Sequence, residues 1–262
     1  IPSKGFIGRK MRELFTPEDG CVWGSFDYSQ QEPRIVVHYA IKLGLPGTTD
    51  LKNEFDKEDA DFHQIVADMA KISRTQAKTI NLGLFYGMGK LKLQAELGLD
   101  RMGAKKLFDE YHAKVPFVRQ LSQDLIEFAS DNRLLFTLHD RFCRFDKFES
   151  TDKHWNNETN RFDPVPLYTE EKAKQAYQAE VTEKYKDDKI PADYMKHFDR
   201  HYVPAFTYKA LNRLIQGGAA DMTKKAMVDL YEKGILPQIQ IHDELCLSIK
   251  DDKQAMEVKQ TM

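Results

Sequence analysis

The strand-forming segments of this chain sit at its two ends. Near the start, CVWGSFDYS (Cys21 to Ser29) is rich in aromatic and β-branched residues and runs into polar Asp27. Near the finish, QIQIH and LCLSI alternate apolar with other residues on either side of Asp243-Glu244, the pattern of a hairpin with two acids at its tip. The long stretch between these ends has mainly helical spacing. A sheet that draws on both ends must be assembled around a helical insertion, which points to an α+β fold.

EPRIVVHYAIKL follows the first strand as a helix, with Pro33 tolerated in its first turn, so the strand delivers Asp27 to a strand-to-helix corner. A loop rich in Gly, Pro and Thr (Gly44 to Thr49) then opens the helical middle, which runs to about residue 200. Within it, Thr151 to Tyr202 carries 20 charged residues of both signs among 52, and reads as a solvated helical insertion. Ala205 to Lys233 is helical again, ended by Gly234 and Pro237. There is no internal repeat and no low-complexity tract.

With 262 residues, 41% of them hydrophobic, the chain can build one large domain or two ordinary ones. Its apolar runs, such as Ile35-Val36-Val37, fall far short of the roughly 20 residues that cross a bilayer, so no membrane partner is expected. Three scattered cysteines support neither a disulfide framework nor a paired zinc motif, and a reduced, cytoplasmic setting is the simplest expectation. The chain opens at Ile1-Pro2 without Met and stops inside DDKQAMEVKQTM, which has the spacing of an uncapped helix; a fragment of a longer protein is expected.

A formal charge of −2 argues against holding nucleic acid by bulk positive charge. A local strip exists, however. Between Met69 and Leu93 stand Lys71, Arg74, Lys78, Lys90 and Lys92 with no acid. On a helix, Arg74, Lys78, Leu82 and Tyr86 share one face, while Ala77, Ile80 and Leu84 share another that can pack. Such a helix is ordinarily just amphipathic with solvated cations. Here two cations one turn apart match a polyphosphate, and Tyr86 could stack on a base. Gly83, Gly87 and Gly89 weaken the helix where something must approach closely or bend. The hairpin acids, taken alone, would be a solvated turn. Joined by Asp27 on an adjacent strand, they form a hard oxygen site suited to Mg²⁺ and to two-metal phosphoryl transfer.

These residues resemble a known family. DYSQQEPR (Asp27 to Arg34), RTQAKTINLGLFYG (Arg74 to Gly87) and QIHDE (Gln240 to Glu244) are similar to motifs A, B and C of the family A DNA polymerases, and NRLIQGGAAD (Asn212 to Asp221) resembles the family's Asn/Gln helix. The resemblance covers nearly the whole chain, and DYSQQEP with the long charged insertion looks more like phage members than bacterial ones. It implies a palm with an antiparallel sheet and covering helices, residues 1–45 and 201–262, and a mainly helical fingers domain inserted at 46–200. The family's thumb and any exonuclease would be missing. Primer-template DNA and deoxynucleoside triphosphates would be the partners, and the host cytoplasm the setting if the chain is phage-encoded.

The resemblance also implies residue roles. Asp27 and Asp243 would bind two Mg²⁺ ions with the backbone carbonyl of Tyr28, Glu244 serving as an outer carboxylate. Arg74 and Lys78 would grip the β- and γ-phosphates, Lys78 also donating a proton to pyrophosphate. His63 would approach the same phosphates, and Gln30 would join the nucleotide site. Glu32 would exclude a ribose 2′-hydroxyl as a steric gate. Tyr86 would stack at the templating position. Asn212 and Gln216 would donate to minor-groove acceptors shared by all base pairs, and His242 would hold the primer end. Leu82 departs from the family's usual Phe or Tyr beside the incoming sugar, and Tyr208 stands near where bacterial relatives carry a basic DNA contact.

A single-subunit RNA polymerase shares the Arg/Lys/Tyr-Gly helix and the His-Asp turn, but Glu32 and Glu244 favour DNA. A noncatalytic DNA-binding relative would be marked by loss of Asp27 or Asp243, and both are present. A metal-dependent phosphohydrolase would need more clustered acids and histidines.

Overall fold

A computed structural model of the chain describes residues 5–48, 53, 61–85, 88, 90–159, 161–186 and 189–262. Helix α1 (Phe6–Arg12) precedes β1 (Val22–Asp27), and a short corner leads into α2 (Gln31–Lys42), whose Pro33 lies in the first turn where a missing N–H breaks no helical bond. The middle begins with α3 (Phe62–Ala70), α4 (Arg74–Phe85), α5 (Lys90–Leu97), α6 (Arg101–Lys114) and α7 (Pro116–Asn132). Strands β2 (Leu134–Phe136) and β3 (Phe142–Arg144) then form a hairpin.

The charged segment starts at β4 (Phe148–Ser150), continues through β5 (Trp155–Asn156), β6 (Arg161–Phe162), α8 (Glu170–Tyr185) and α9 (Phe198–His201), and returns in β7 (Tyr202–Pro204), which pairs antiparallel with β4. Long helix α10 (Ala210–Glu232) follows, then β8 (Ile239–Ile241), β9 (Glu244–Ile249) and α11 (Asp252–Thr261). Gly234, at φ 75, turns the chain out of α10, and its N–H bonds the Tyr231 carbonyl. Asp251 caps α11 by accepting from the Gln254 N–H.

The two chain ends do meet in one sheet, antiparallel throughout, in the order β1-β9-β8. The central strand β9 buries Leu245, Leu247 and Ile249 in an apolar cluster with Ala226 and Leu230 from the second half of α10 and Val258 from α11. Opposite Leu247, Gly24 has no room for a side chain, since a Cβ there would stand 2.6 Å from Ile249 Cγ1. The first half of α10 does different work: Leu211 and Ile215 join α2 and α3–α7 in the largest core, built around Val36, Phe62, Ile80, Tyr111, Phe117 and Leu121.

Two expectations need correction. Thr151 to Tyr202 is not simply a solvated helical insertion, for it is tied at its base by the β4–β7 pair and holds the β5–β6 ribbon and a core of its own, with Tyr177, Val181, Phe198 and Tyr202 packed beneath the charged surface. A few aromatics at suitable positions build a core that overall composition hides. In the acidic hairpin, the turn is His242-Asp243, and Glu244 is already strand, paired with Ile241 and with Asp27. Among the described residues no helix is long and apolar enough to cross a membrane.

Candidate active site

Register brings the acids together. Asp27 ends β1 opposite Glu244, the first residue of β9, so Asp27 lies beside the turn that carries Asp243. His242 takes a left-handed conformation, φ 57, which is uncommon for a residue with a side chain, and the Gln240 amide steadies it by donating to its carbonyl at 3.0 Å. The Asp27 carboxyl is raised above the usual aspartate range. Desolvation by the surrounding protein contributes most, the like charges of Asp243 and Glu244 and a hydrogen bond with Asp243 act in the same direction, and the Tyr28 backbone N–H opposes them. Glu244 accepts a hydrogen bond from the Ser25 hydroxyl. The Tyr28 side chain points elsewhere, its hydroxyl donating to the Met262 carbonyl at 2.9 Å, which leaves its backbone as the group beside the acids.

A second wall is built from α3 and α4. Asp61 caps α3, its Oδ1 accepting the His63 and Gln64 N–H groups at 3.0 and 3.1 Å, while its Oδ2 accepts the Arg74 Nε–H at 2.7 Å. Burial alone would raise the Asp61 carboxyl, but the Arg74 guanidinium and the capped N–H groups outweigh it and hold it low. Gln30, at φ 53 in the corner after β1, accepts from the Phe62 N–H at 2.8 Å and so ties that corner to α3. His63 is buried, with the Asn81 amide nitrogen 3.1 Å from its Nδ1, and Asn81 Oδ1 accepts from the fully buried Tyr111 hydroxyl. Burial pushes the His63 pKa down, Arg74 and Lys78 push the same way, and Asp61 opposes. Gly83 leaves space on α4 that the Met88 side chain fills, so the close approach expected there comes from the chain itself.

Between the walls lies a cleft of about 800 Å³. Gln30, Gln31, Glu32 and Pro33 line it from the start of α2, His63, Lys78 and Leu82 from the second wall, Gln216 and Thr223 from α10, and Gln240, His242 and Asp243 from the hairpin. Asp243 and Lys78 bring opposite charges to this lining, while Asp27, beside Asp243, and Arg74, one turn before Lys78, are not part of it. Asn212, one turn before Gln216, is half-buried and not part of this lining, and Tyr208 lines a different cavity with Lys90 and Phe108. Tyr86 lies outside the described residues.

A clamp seats the β2–β3 hairpin on α10 beside Gln216. Buried Asp221 accepts the Thr137 hydroxyl at 2.6 Å and the Arg141 Nε–H at 2.7 Å, and Arg141 Nη2 donates to the Gly217 carbonyl at 3.0 Å. A Cβ on Gly217 would stand 2.9 Å from Thr137 Cγ2, so glycine permits the approach. Sequence reasoning missed this clamp, together with Asp61, Asn81 and Tyr111. An Asp just before a helical run is a readable cap signal, and Asn81 is a polar residue beside buried Ile80; the Arg141–Asp221 and Tyr111–Asn81 pairings leave no local trace.

Comparison with known proteins gives a consistent family. The family described as DNA polymerase family A matches residues 1–163 and 152–262. A DNA-directed DNA polymerase of Pseudomonas phage M6 is 31% identical over all of the chain and 38% of that relative. DNA polymerase I of Caldicellulosiruptor bescii is 26% identical over 94% of the chain and 24% of its own length, and the DNA polymerase of Mycobacterium phage L5 is 26% identical over 95% and 31%. The chain thus spans under two fifths of these relatives. Among solved structures, the POL domain of Pol1 from M. smegmatis, in complex with DNA primer-template and dNTP, superposes with a TM-score of 0.65 at 22% identity, covering 100% of this chain and 39% of that one. With an antiparallel sheet that gathers its acids from both chain ends and a family match running from first residue to last, the chain belongs to DNA polymerase family A.

Proposed function

We propose that these residues are the palm (1–45 and 201–262) and fingers (46–200) of a template-directed DNA polymerase, which adds deoxynucleotides from their triphosphates to a primer 3′ end. The meeting of Asp27 with Asp243, which lines a cleft also bordered by Lys78 and His63, carries the reading. Because the chain spans under two fifths of its relatives, the thumb and other parts of the working enzyme belong to the rest of the polypeptide under this reading, and its setting is the cytoplasm, that of the host cell if the chain is phage-encoded.

The paired acids fit a hard divalent cation. Desolvation first and then the like charges of Asp243 and Glu244 raise the Asp27 carboxyl, and a cation relieves the crowding of charge. Asp27, Asp243 and the Tyr28 carbonyl would hold two Mg²⁺, which when bound supply charge stabilisation for the attacking 3′-oxygen and the departing pyrophosphate.

The chain's own side chains do the rest. Lys78 holds the triphosphate and gives a proton to the pyrophosphate, and Arg74 and His63 bind the same phosphates. A neutral His63 suits a hydrogen-bonding role better than a charged one, given its lowered pKa. Glu32 and Gln30 border the sugar, where Glu32 rejects a 2′-hydroxyl and favours DNA precursors over RNA precursors. Gln216 donates to the minor groove with Asn212 one turn away, His242 holds the primer end, and Tyr86 stacks at the templating position. The test is primer extension in Mg²⁺ by the complete natural polypeptide and its Asp243→Asn variant, with ribo- and deoxynucleotides compared. Extension that survives the substitution removes the mechanism, and equal use of both sugars removes the assignment to DNA.

A further inference from the structure

Asp61 divides one carboxylate between two tasks: Oδ1 caps α3, and Oδ2 holds Arg74 by its Nε–H at 2.7 Å. Side-chain exposures of 31% for Asp61 and 51% for Arg74 mean that the pair adds little to folding. Its geometry is more telling. A guanidinium is a planar fork of five donors, and engaging Nε on one edge leaves both terminal nitrogens available, which is the edge that grips a phosphate with two parallel hydrogen bonds. Asp61, Arg74 and Lys78 all act on the charge of His63, which lines the cleft, so the four groups share one electrostatic neighbourhood.

We propose that Asp61 is a positioning residue for the incoming triphosphate: anchored by the α3 cap, it holds Arg74 so that the terminal nitrogens are presented before the nucleotide arrives. This rests on the reading of Arg74 as a phosphate ligand. A free arginine must be ordered by the ligand it binds, whereas a held one has already lost most of that freedom, and the saving appears as affinity. The cap anchors the carboxylate, since two backbone N–H groups fix the oxygen that Arg74 does not use.

Single-nucleotide incorporation by the complete natural polypeptide tests this with Asp61→Asn, Asp61→Ser, Arg74→Ala and Asp61→Asn/Arg74→Ala. Asn and Ser both cap helices well, so α3 is retained while the charged acceptor for Arg74 is lost. KM for the nucleotide should rise about five- to tenfold in both Asp61 variants, with kcat changed by less than about twofold. Arg74→Ala should raise KM further, and the double variant should match Arg74→Ala alone, because Asp61 acts through Arg74. An unchanged or lower KM in the Asp61 variants, or additive effects in the double variant, overturns the proposal while leaving Arg74 as a ligand. An unchanged KM in Arg74→Ala overturns the assignment of Arg74 and the Asp61 proposal with it.

Discussion

The two walls of the cleft hold their charges by different means. Asp27 ends a strand ladder, with residues 22–27 of β1 in register against 244–249 of β9 and a buried core behind them, and Asp243 stands in the turn that enters β9. Arg74 and Lys78 stand on the exposed side of α4, and half-exposed Arg74 is tethered by one partly exposed carboxylate. Backbone hydrogen bonds suit groups whose separation must stay constant, whereas a side-chain contact can hold a group by one edge and leave its remaining donors to a ligand. The acidic wall is a fixture of the backbone, and the cationic wall, set by side chains, is adjustable by substitution.

Four substitutions probe that contrast. Asp243→Asn strikes the fixture and should lower primer extension about a thousandfold, or about 4 kcal/mol of transition-state stabilisation. Its melting temperature should stay level or rise, because a like charge beside Asp27 is removed; a large drop would mean that the acids support the sheet. Lys78→Ala strikes the adjustable wall and should cost about a hundredfold in kcat, the lower range for a general acid, with no change in melting temperature.

Asp221→Asn tests the floor between the walls and should destabilise by about 1.5–3 kcal/mol near neutral pH, as expected for hydrogen bonds to a charged group. Burial alone would raise the Asp221 carboxyl, but Thr137 and Arg141 outweigh it and lower it. Its contribution is therefore complete above the ordinary aspartate value and is lost as pH falls through the lowered one. Urea titrations of both proteins should begin to converge below about pH 4 and meet once the pH is below the lowered value. Leu82→Phe should have the smallest effect, changing selection among sugar analogues by about 1 kcal/mol or less with folding unaltered; equal analogue incorporation by both proteins would remove Leu82 from sugar recognition.

Much of this arrangement was legible in the sequence because it rests on local patterns. Aromatic and β-branched content gave β1, alternation gave the final hairpin, helical spacing gave α4 and α10, and the acids at the strand ends stood out before the resemblance gave them roles; the sheet register brings them together. The turn was displaced by one residue because Glu244 alternates equally well as strand or tip. Asn212 shares a helix with Gln216, yet only Gln216 lines the cleft; spacing fixes a helix face but not what stands before it. Arg141 and Asp221 are 80 positions apart and Asn81 and Tyr111 are 30 apart, so no periodicity announces either pairing.

Strands β4 and β7 lie side by side, with Phe148 opposite Pro204 and Ser150 opposite Tyr202. The chain between them therefore leaves and rejoins the body at nearly one point, and it carries its own buried aromatics. A tight turn could bridge that point and leave both walls of the cleft in place. Such an annex is free to change its length and surface from one family member to the next without disturbing the machinery it is fastened to.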